Sequence, residues 1–391
     1  MKIDKIDVYH ADAGWRPWTF VKISTSDGLI GWSECSDSHG SPRGIQGVIN
    51  DLKDLLIGEN PLKINKILAL VHARTLQSQG SIVQKAIAGI ENALWDIKAK
   101  SLNLPMNELL GGPINDEIEL YWSHCGTSRI RAHDLIQKPR ISNLQDLEIF
   151  AQEVINSGFK SMKTNIAILE DAPYIYMPGF AKSKGWPNLN SSEKLIKDVE
   201  IWISNLRKFL GKDFNIALDL NFNFRSNGFK RISRALEKYN LAWIEIDSYD
   251  PIALKEIKDS INIPITSCEN LSGLRQFKPF FESKSMDIVS IDVIWNGLQE
   301  SIKIANTAEI NEMNITSHNF NGHLSTFISM HFCSIIKNLF IAEFDVDDIP
   351  WRDELFTEIP IIEEGKFKFN NMPGWGCNLN EKALKKYKWM K

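Results

Sequence analysis

Beyond residue 115, apolar runs of strand length alternate with amphipathic segments that have the spacing of helices. This alternation predicts parallel strands joined by helical connections. The predicted strands are residues 119–124, 159–165, 215–221, 241–247, 264–269, 286–292, 313–318 and 339–344. Eight such strands favour a (β/α) barrel over an open doubly wound sheet, and no glycine-rich phosphate loop follows the first strand.

The N-terminal part of the chain begins with shorter strand-like runs. Runs at residues 3–10 and 18–24 are followed by a turn that leads into a third run at residues 29–34. This pattern predicts a small antiparallel meander. The polar segment between the first two runs, residues 11–17, is predicted to be a loop.

A helix is predicted to begin near residue 81 and to present one apolar face. That face consists of Ile87, Ile90, Leu94 and Ile97. Gly111, Gly112 and Pro113 then break the chain. We therefore expect an α+β domain at residues 1–115, a barrel domain at 116–349, and a C-terminal segment at 350–391 that packs back on the first domain.

Composition narrows the class of protein. The chain has 391 residues, 43% of them hydrophobic, which suits two domains with a sizeable core. Lys plus Arg number 45 against 49 for Asp plus Glu, a net charge of −4, so we expect no nucleic-acid partner. The sequence contains no signal peptide and no membrane span, so we expect a cytoplasmic protein without a membrane partner. The five cysteines have no paired spacing and are predicted to be reduced thiols.

The third, fourth and fifth predicted barrel strands each have an acidic residue at or near the carboxyl end. Asp219, Glu245 and Glu269 are spaced by about one strand–helix repeat, which places them side by side at one end of a barrel. Three oxygen ligands without cysteine or histidine suit a hard cation such as Mg²⁺ and leave positions open for a substrate. We therefore predict a magnesium site, although each acid taken singly could be a strand-end or helix-capping residue.

Other strands end in groups suited to substrate contact or proton transfer. The second strand ends at Lys163 and Asn165, which alternation points in the same direction. The sixth ends at Asp292 and the seventh at His318. An aspartate on the neighbouring strand can bond one ring nitrogen and make the other more basic, so His318 is predicted to be a general base oriented by Asp292. His124, at the end of the first strand, is expected near the same opening.

This order of residues resembles the mandelate racemase subgroup of the enolase superfamily. The matching positions are Lys163 on the second strand, Asp219, Glu245 and Glu269 on the third to fifth, Asp292 and His318 on the sixth and seventh, and Glu343 on the eighth. The resemblance extends to the N-terminal domain through DGLIGWSE at 27–34, AIAGIENALWDIKAK at 86–100 and LLGGP at 109–113. The fold that it implies is α/β, a (β/α)7β-type modified TIM barrel with an N-terminal α+β capping domain completed by the C-terminal tail.

The resemblance also implies a chemistry. In this family a base removes the proton next to a carboxylate chelated by Mg²⁺, and an enediolate forms. One Mg²⁺ per subunit and a small carboxylic acid substrate are therefore implied. By similarity, Lys163 and Glu343 hydrogen-bond the substrate carboxylate, and Asn221 lies near the metal or the substrate. Family members are commonly octamers or dimers, so a homo-oligomer is implied as well.

The second strand departs from the family pattern. The frequent motif there is Lys-x-Lys with the second lysine as a base, whereas this chain has Asn165 at that position. Because an amide is not a useful base, His318 alone would take the α-proton and then protonate the leaving β-hydroxyl. We therefore predict a dehydratase that converts an aldonic or aldaric sugar acid into a 2-keto-3-deoxy acid. Racemisation or epimerisation stays open if Lys163 is a second base, as do a cycloisomerase and a homologue that binds acids without turnover.

Specificity in this family comes from loops that cover the barrel. Here the first loop supplies Trp15 and Arg16, the second, at 38–43, supplies Arg43, and residues 166–192 form a long excursion after the second strand. Cationic and polar loops suit a polyhydroxylated acid better than an aromatic one. The residues predicted to bind substrate are Asn165, Asn221, Trp15, Arg16 and Arg43.

Overall fold

Three antiparallel strands begin the chain in the computed structural model, which describes residues 1–37, 40–178 and 191–390. They are β1 (Ile3–Ala13), β2 (Arg16–Thr25) and β3 (Ile30–Glu34), paired in chain order as the predicted meander required. The predicted loop at 11–17 is wrong, because β1 and β2 stay paired as far as Ala13 and Arg16. The tight hairpin is possible because Gly14, at a φ of +77°, has no side chain to oppose this conformation.

Three helices pack against this sheet and share its apolar core. They are α1 (Pro42–Leu56), α2 (Ile64–Arg74) and α3 (Ser81–Ser101). The first begins at a cap that the sequence supplies, since the Ser41 side chain accepts the N–H of Gly44 and Pro42 occupies the first turn. The predicted apolar face of α3 is buried throughout, which confirms the helical periodicity.

The barrel consists of eight parallel strands within the described residues. In chain order the described part of this region contains ten strands, eight in the barrel and two in a separate hairpin. They are β4 (Glu117–Trp122), β5 (Ser161–Asn165), β6 (Ala167–Ile168), β7 (Tyr174–Ile175), β8 (Asn215–Asp219), β9 (Trp243–Glu245), β10 (Ile265–Ser267), β11 (Ile288–Ile291), β12 (Asn314–Ser317) and β13 (Leu339–Phe344). All except β6 and β7, which form a small hairpin after β5, belong to the barrel. Pairing of β13 with β4 closes it.

Helical connections alternate with these strands. The helices after α3 are α4 (Met106–Leu109), α5 (Thr127–Arg131), α6 (His133–Ile136), α7 (Leu144–Asn156), α8 (Glu193–Leu210), α9 (Ser226–Leu236), α10 (Pro251–Lys258), α11 (Leu274–Ser283), α12 (Val293–Asn296), α13 (Leu298–Ile310) and α14 (His323–Ser334). Each connection between consecutive barrel strands contains one long helix, and β13 leads instead into the C-terminal tail. The described chain therefore has the predicted (β/α)7β architecture.

The C-terminal tail contacts both the barrel and the N-terminal sheet. It contains β14 (Ile361–Glu363), β15 (Lys366–Lys368) and α15 (Glu381–Lys386), and short 3-10 turns occur here and earlier at Leu76–Ser78, Glu237–Tyr239 and Asp353–Leu355. Strand β15 pairs antiparallel with the start of β4. Farther along, the N–H of Asp12 in β1 donates to the carbonyl of Tyr387 at 2.7 Å. The tail therefore joins the two parts of the molecule.

The N-terminal domain is fixed over the end of the barrel at which the parallel strands finish. Glu34, the last residue of β3, accepts the N–H groups of Gly322 and Ser325 at 2.9 and 3.0 Å. These groups lie at the start of α14, just beyond β12. Arg16 of β2 forms a buried ion pair of 2.7 Å with Asp348, just beyond β13. The N-terminal domain therefore caps the barrel beside the ends of its seventh and eighth strands.

Three buried apolar clusters lie among the described residues. One lies within the N-terminal domain, a large one includes most of the buried apolar residues of the barrel, and a small one is formed by residues of five barrel strands, among them Tyr121 and Trp243. The five cysteines are buried as free thiols, as predicted. Within residues 1–37, 40–178 and 191–390, no helix has both the length and the apolar character that crossing a membrane requires.

Candidate active site

Asp219, Glu245 and Glu269 lie at the carboxyl ends of three neighbouring barrel strands. Asp219 ends β8 and Glu245 ends β9, and the two residues are partners in the pairing of these strands. Glu269 follows β10 by two residues. Asp219 is 6% exposed and Glu245 is 1% exposed, so both are almost removed from water. The structure thus places the three predicted ligands, below called the acidic cluster, on one rim.

Burial and mutual repulsion act on the acidic cluster. Burial, followed by the charge of Glu245, raises the pKa of Asp219 to about 6. Burial, followed by the charges of Asp247 and Glu245, raises the pKa of Glu269 well above its ordinary value. One oxygen of Glu245, Oε1, is buried without a hydrogen-bond partner. Crowded like charges and an unused carboxylate oxygen fit a divalent cation that prefers oxygen ligands.

The ammonium of Lys163 contacts the acidic cluster. In the described part of the chain, no three histidine, cysteine, aspartate or glutamate side chains converge closely enough to hold an ion. The ammonium of Lys163 lies 2.8 Å from Glu245 Oε2 and 3.1 Å from Glu343 Oε1. Burial opposes the charge of Lys163, but these two carboxylates outweigh it and raise its pKa well above the ordinary value. Lys163 is therefore a cation that neutralises part of the cluster.

Two asparagine amides bind Asp219. The N–H and the side-chain amide of Asn221 donate to Asp219 at 2.8 and 2.9 Å, and the amide of Asn165 donates to it at 3.3 Å. The oxygen of Asn165 accepts the hydroxyl of Thr127 at 3.1 Å, which turns its amino group towards Asp219. Both predicted substrate-binding asparagines therefore lie at the acidic cluster.

His318 and Asp292 form the predicted imidazole–carboxylate pair. His318 Nδ1 lies 2.7 Å from Asp292 Oδ2, and the other oxygen of Asp292 accepts the N–H of Trp295 at 2.9 Å. Burial opposes protonation of the imidazole, but the hydrogen bond and charge of Asp292 raise the pKa of His318 overall. The second ring nitrogen, Nε2, lies 3.7 Å from Glu269 Oε2. The basic nitrogen therefore faces the acidic cluster.

The capping domain supports this imidazole from behind. The ring of Trp295 lies 5.0 Å from the ring of His318, and its N–H donates to the carbonyl of Ser36 at 2.6 Å. The ammonium of Lys85 lies 3.7 Å from the centre of the Trp295 ring and 2.9 Å from a carboxylate oxygen of Asp37. Residues of both domains therefore hold the base in place.

Glu343 is surrounded by donors. Its Oε1 accepts the hydroxyl of Ser123 at 2.5 Å as well as the ammonium of Lys163, and its Oε2 accepts the N–H of Asn319 at 2.6 Å. Burial acts to raise the pKa of Glu343, but Lys163, His318, His124 and the Ser123 hydroxyl lower it far more. Glu343 is consequently an anion in this arrangement.

A fourth carboxylate at the rim, Asp247, was missed by the sequence analysis. It lies beyond β9, is 5% exposed, and accepts the amide of Asn270 at 2.9 Å. Burial and the charges of Asp219 and Glu245 raise its pKa to about 8. A signal for it was present, since alternation points residues two apart in a strand to the same side. A cation at this rim would favour the ionised form of Asp247.

The predicted loop residues divide into two groups. Arg16 donates to Asp348 and to the carbonyl of Phe320 at 2.8 Å, and its guanidinium lies 4.5 Å from the Trp15 ring. The Phe320 ring lies 5.4 Å from the Arg16 guanidinium and 5.1 Å from the ring of His318, so one aromatic ring separates Arg16 from the base. Arg43 lies in α1 and stacks on Trp389 of the tail at 5.1 Å. The predicted specificity residues 38, 39 and 179–190 lie outside the described residues.

Comparison with known families gives this rim its context. Residues 11–111 match the N-terminal domain of mandelate racemase and muconate lactonizing enzyme, and residues 146–383 match the enolase C-terminal domain-like family. The chain belongs to the mandelate racemase/muconate lactonizing enzyme family. The capped barrel agrees with this membership.

Relatives of this family member have several described activities. It is 26% identical to the D-xylonate dehydratase of Haloferax volcanii, over 95% of this chain and 85% of the relative. It is also 26% identical to the D-galactonate dehydratase of Pectobacterium atrosepticum, over 98% and 94%. A solved Burkholderia xenovorans structure, provisionally described as an L-alanine-DL-glutamate epimerase, contains magnesium and fumarate; it is 40% identical, with a TM-score of 0.95 and coverage of 99% and 96%.

Proposed function

We propose that this mandelate racemase-family protein is a Mg²⁺-dependent dehydratase of a sugar acid. It removes the α-proton of an aldonic or aldaric acid, expels the β-hydroxyl as water and releases a 2-keto-3-deoxy acid. The observation that carries the proposal is that two proton-carrying side chains at the rim differ in how many carboxylates they contact closely. His318 has one ring nitrogen directed towards the acidic cluster, whereas Lys163 is bound between two carboxylates. One competent base is enough for elimination.

The acidic cluster is proposed to bind Mg²⁺. When bound, the ion would supply positive charge that stabilises the negative charge developing on the substrate carboxylate. The buried, unpartnered Oε1 of Glu245 and the raised pKa of Asp219 support this assignment. The magnesium and fumarate in the Burkholderia structure support a site for a divalent ion with a small carboxylic acid.

His318 is proposed to take the α-proton at Nε2. Its Nδ1 carries the proton that Asp292 accepts, so the lone pair of a neutral ring is on Nε2. Trp295 and Phe320 lie against the ring and restrict its rotation. A base held in this way needs little rearrangement before proton transfer.

Lys163 is proposed to bind the substrate carboxylate. A buried ammonium provides a strong charge-assisted hydrogen bond to an anion. The predicted hydrogen bond from Glu343 to the same carboxylate requires a protonated acid, and the surroundings of Glu343 favour its anion. In this proposal Glu343 therefore orients Lys163, and the carboxylate contact belongs to the lysine.

Epimerisation is the second candidate, because the 40% identical Burkholderia protein is provisionally described as an epimerase. Inversion at the α-carbon requires a proton acceptor on one face and a donor on the other. Lys163 would have to lose its proton for one direction of this reaction, which its raised pKa opposes. Asn165 cannot replace it, since an amide does not take up a proton near neutral pH. These two residues favour elimination.

A substrate screen tests the proposal. Stereoisomers of aldonic and aldaric acids are incubated with the protein and Mg²⁺, and 2-keto acids are detected as semicarbazones by their absorbance. We expect one or a few acids to give product, with no product after chelation of Mg²⁺ by EDTA. A purified protein that binds Mg²⁺ but converts none of the acids would overturn the proposal.

A further inference from the structure

His124 is a second histidine at the rim to which the mechanism above gives no role. It lies two residues beyond β4, in a left-handed conformation with a φ of +46°, and its side chain is 14% exposed. Its ring lies 5.5 Å from the Phe320 ring, which itself lies 5.1 Å from the ring of His318. The two imidazoles thus contact the same aromatic ring. A partly exposed group at this position is accessible to a molecule bound at the rim.

The hydrogen bonds of His124 determine which nitrogen carries its fixed proton. The Ser123 hydroxyl donates its single proton to Glu343, so it can only accept from His124 Nδ1, which lies 3.2 Å away. Nδ1 is therefore the protonated nitrogen in the neutral ring. Within the described residues, Nε2 makes no hydrogen bond. Nε2 is consequently the atom that can gain and lose a proton.

Asp345 is a carboxylate neighbour of His124, although it lies farther from that ring than Asp292 lies from His318. Asp345 Oδ2 lies 3.4 Å from His124 Nδ1, and the residue is 3% exposed. Neither side-chain oxygen of Asp345 accepts a hydrogen bond in the described residues. A buried carboxylate without donors is costly unless a cation lies beside it. The carboxylate of Asp345 therefore lies where it would offset positive charge on the ring.

The position of His124 also connects it to the substrate site. Ser123 links its ring to Glu343, which binds Lys163, the proposed carboxylate-binding residue. Burial and the charge of Glu245 raise the pKa of Asp219, and the charge of His124 makes a smaller, opposite contribution. The charge of His124 also helps to lower the pKa of Glu343, after the larger effects of burial, which raises it, and of Lys163 and His318, which lower it. His124 and His318 come from different strand ends, so they can meet different atoms of one small substrate.

We propose that His124 is the proton donor to the leaving β-hydroxyl, so that the two halves of the elimination are divided between His318 and His124. This inference rests on the proposed dehydratase function. His318 Nε2 accepts the α-proton, and the electrons of the broken C–H bond form the double bond to the β-carbon. The C–O bond breaks, its electron pair takes the proton of His124 Nε2, and water leaves. The enol then ketonises, and both rings return to their starting protonation through solvent.

The inference is tested with His124→Gln in deuterated water, with Mg²⁺ and the acid identified by the screen. NMR follows two signals, exchange of the α-proton and formation of the keto acid. We expect keto-acid formation to fall by about 10²-fold or more, since a general acid contributes 10²–10⁴. Exchange should persist and increase relative to elimination, because His318 still removes the proton. Persistent exchange also demonstrates a folded site.

A fluorinated substrate separates proton donation from a merely structural effect. The analogue with fluorine in place of the β-hydroxyl loses fluoride, which needs no proton to leave. With this analogue, we expect His124→Gln to release fluoride within a few-fold of the wild-type rate. His133→Gln is the matched control, because His133 also lies beside an aspartate, Asp134, at 3.4 Å, and is outside the acidic cluster. It should match the wild type on both substrates.

Each outcome decides between the two claims. If the wild type forms keto acid and His124→Gln forms it at the same rate, the role of His124 is overturned and the dehydratase proposal stands. The role of His124 would also be overturned if His124→Gln bound Mg²⁺ normally but lost both α-proton exchange and elimination, and if the fluorinated substrate did not restore elimination. If His124→Gln does not fold, Asp345→Asn is measured in the same way, with the same preferential loss of elimination expected. Absence of keto acid from the wild type would overturn both claims.

Discussion

The regions around Lys163 and His318 both place a buried, proton-carrying side chain beside carboxylates, yet they have opposite chemical properties. Lys163 has two carboxylate partners, at 2.8 and 3.1 Å, and its pKa rises well above an ordinary value of 10.5. His318 has one close partner at Nδ1, and its pKa rises from an ordinary value of 6.5. Only the second group can exchange a proton readily near neutral pH.

Burial near acidic residues does not by itself make a side chain a base. Burial opposes the charge on both side chains, and the neighbouring anions favour it in both. What differs is the starting pKa and the number of anions in contact. A lysine between two carboxylates keeps its proton, whereas an imidazole held at one nitrogen keeps the other nitrogen available. Of these two side chains, only His318 can accept the α-proton, and in this sense the site is one-sided.

Replacement of the base is expected to have the largest effect. His318→Asn should lower both α-proton exchange and keto-acid formation by about 10³-fold or more, because it removes the proposed acceptor of that proton. Mg²⁺ affinity measured by calorimetry should stay within about twofold, since the acidic cluster is intact. Retention of a tenth or more of the wild-type exchange rate would show that another group, Lys163 or His124, is the base.

Replacement of a proposed metal ligand should be next in size. Glu245→Gln is expected to weaken Mg²⁺ binding and lower turnover together, by about 10²-fold, because a neutral amide is a poorer ligand for a hard cation. Calorimetry and steady-state kinetics measure the two effects. Saturating Mg²⁺ should restore part of the activity. Unchanged affinity in a folded variant would remove Glu245 from the ligand set.

A lysine replacement tests the other half of the comparison. Lys163→Gln should raise KM by about 10-fold to 100-fold, the value of a charge-assisted hydrogen bond, and leave α-proton exchange at saturation within several-fold. Lys194→Gln is a matched control, because Lys194 also has two carboxylate partners, at 2.7 and 2.9 Å, but is exposed. If Lys163→Gln binds substrate normally but loses exchange, then Lys163 is a base.

The smallest expected effect is on stability. Mg²⁺ at about 100 times its dissociation constant should stabilise the protein by about 2.7 kcal/mol, which corresponds to a few degrees in Tm. The gain includes relief of the repulsion that raises the pKa of Asp219 and Glu269. Differential scanning fluorimetry with Na⁺ at equal ionic strength is the control. An equal shift with Na⁺ would attribute the effect to screening.

The sequence predicts strand ends far better than it predicts loops. Asp219, Glu245 and His318 could be placed on one rim because the apolar run before each shows where a strand finishes, and parallel strands finish at the same end of a barrel. Arg16 was expected in a substrate-binding loop but lies in β2 and pairs with Asp348 far along the chain. No local pattern reports such a long-range ion pair.

Protonation states are also beyond a reading of the sequence. The anionic state of Glu343 depends on Lys163 and Ser123, which come from other strand ends. Asp247 was within reach, because it lies two residues after Glu245 and alternation points both to the same side. Its raised pKa, however, depends on burial and on Asp219 across the neighbouring strand. Spacing predicts where such groups lie, and their contacts determine which of them carry charge.

The most direct test of a one-sided site is the fate of the α-carbon in deuterated water. The protein is incubated with Mg²⁺ and the sugar acid identified by the screen, and NMR follows the substrate, its C2 epimer and the keto acid. We predict 2-keto-3-deoxy acid with no accumulation of the C2 epimer. Accumulation of the epimer with deuterium at C2 and no keto acid would contradict the account, because it would require a second base at this rim.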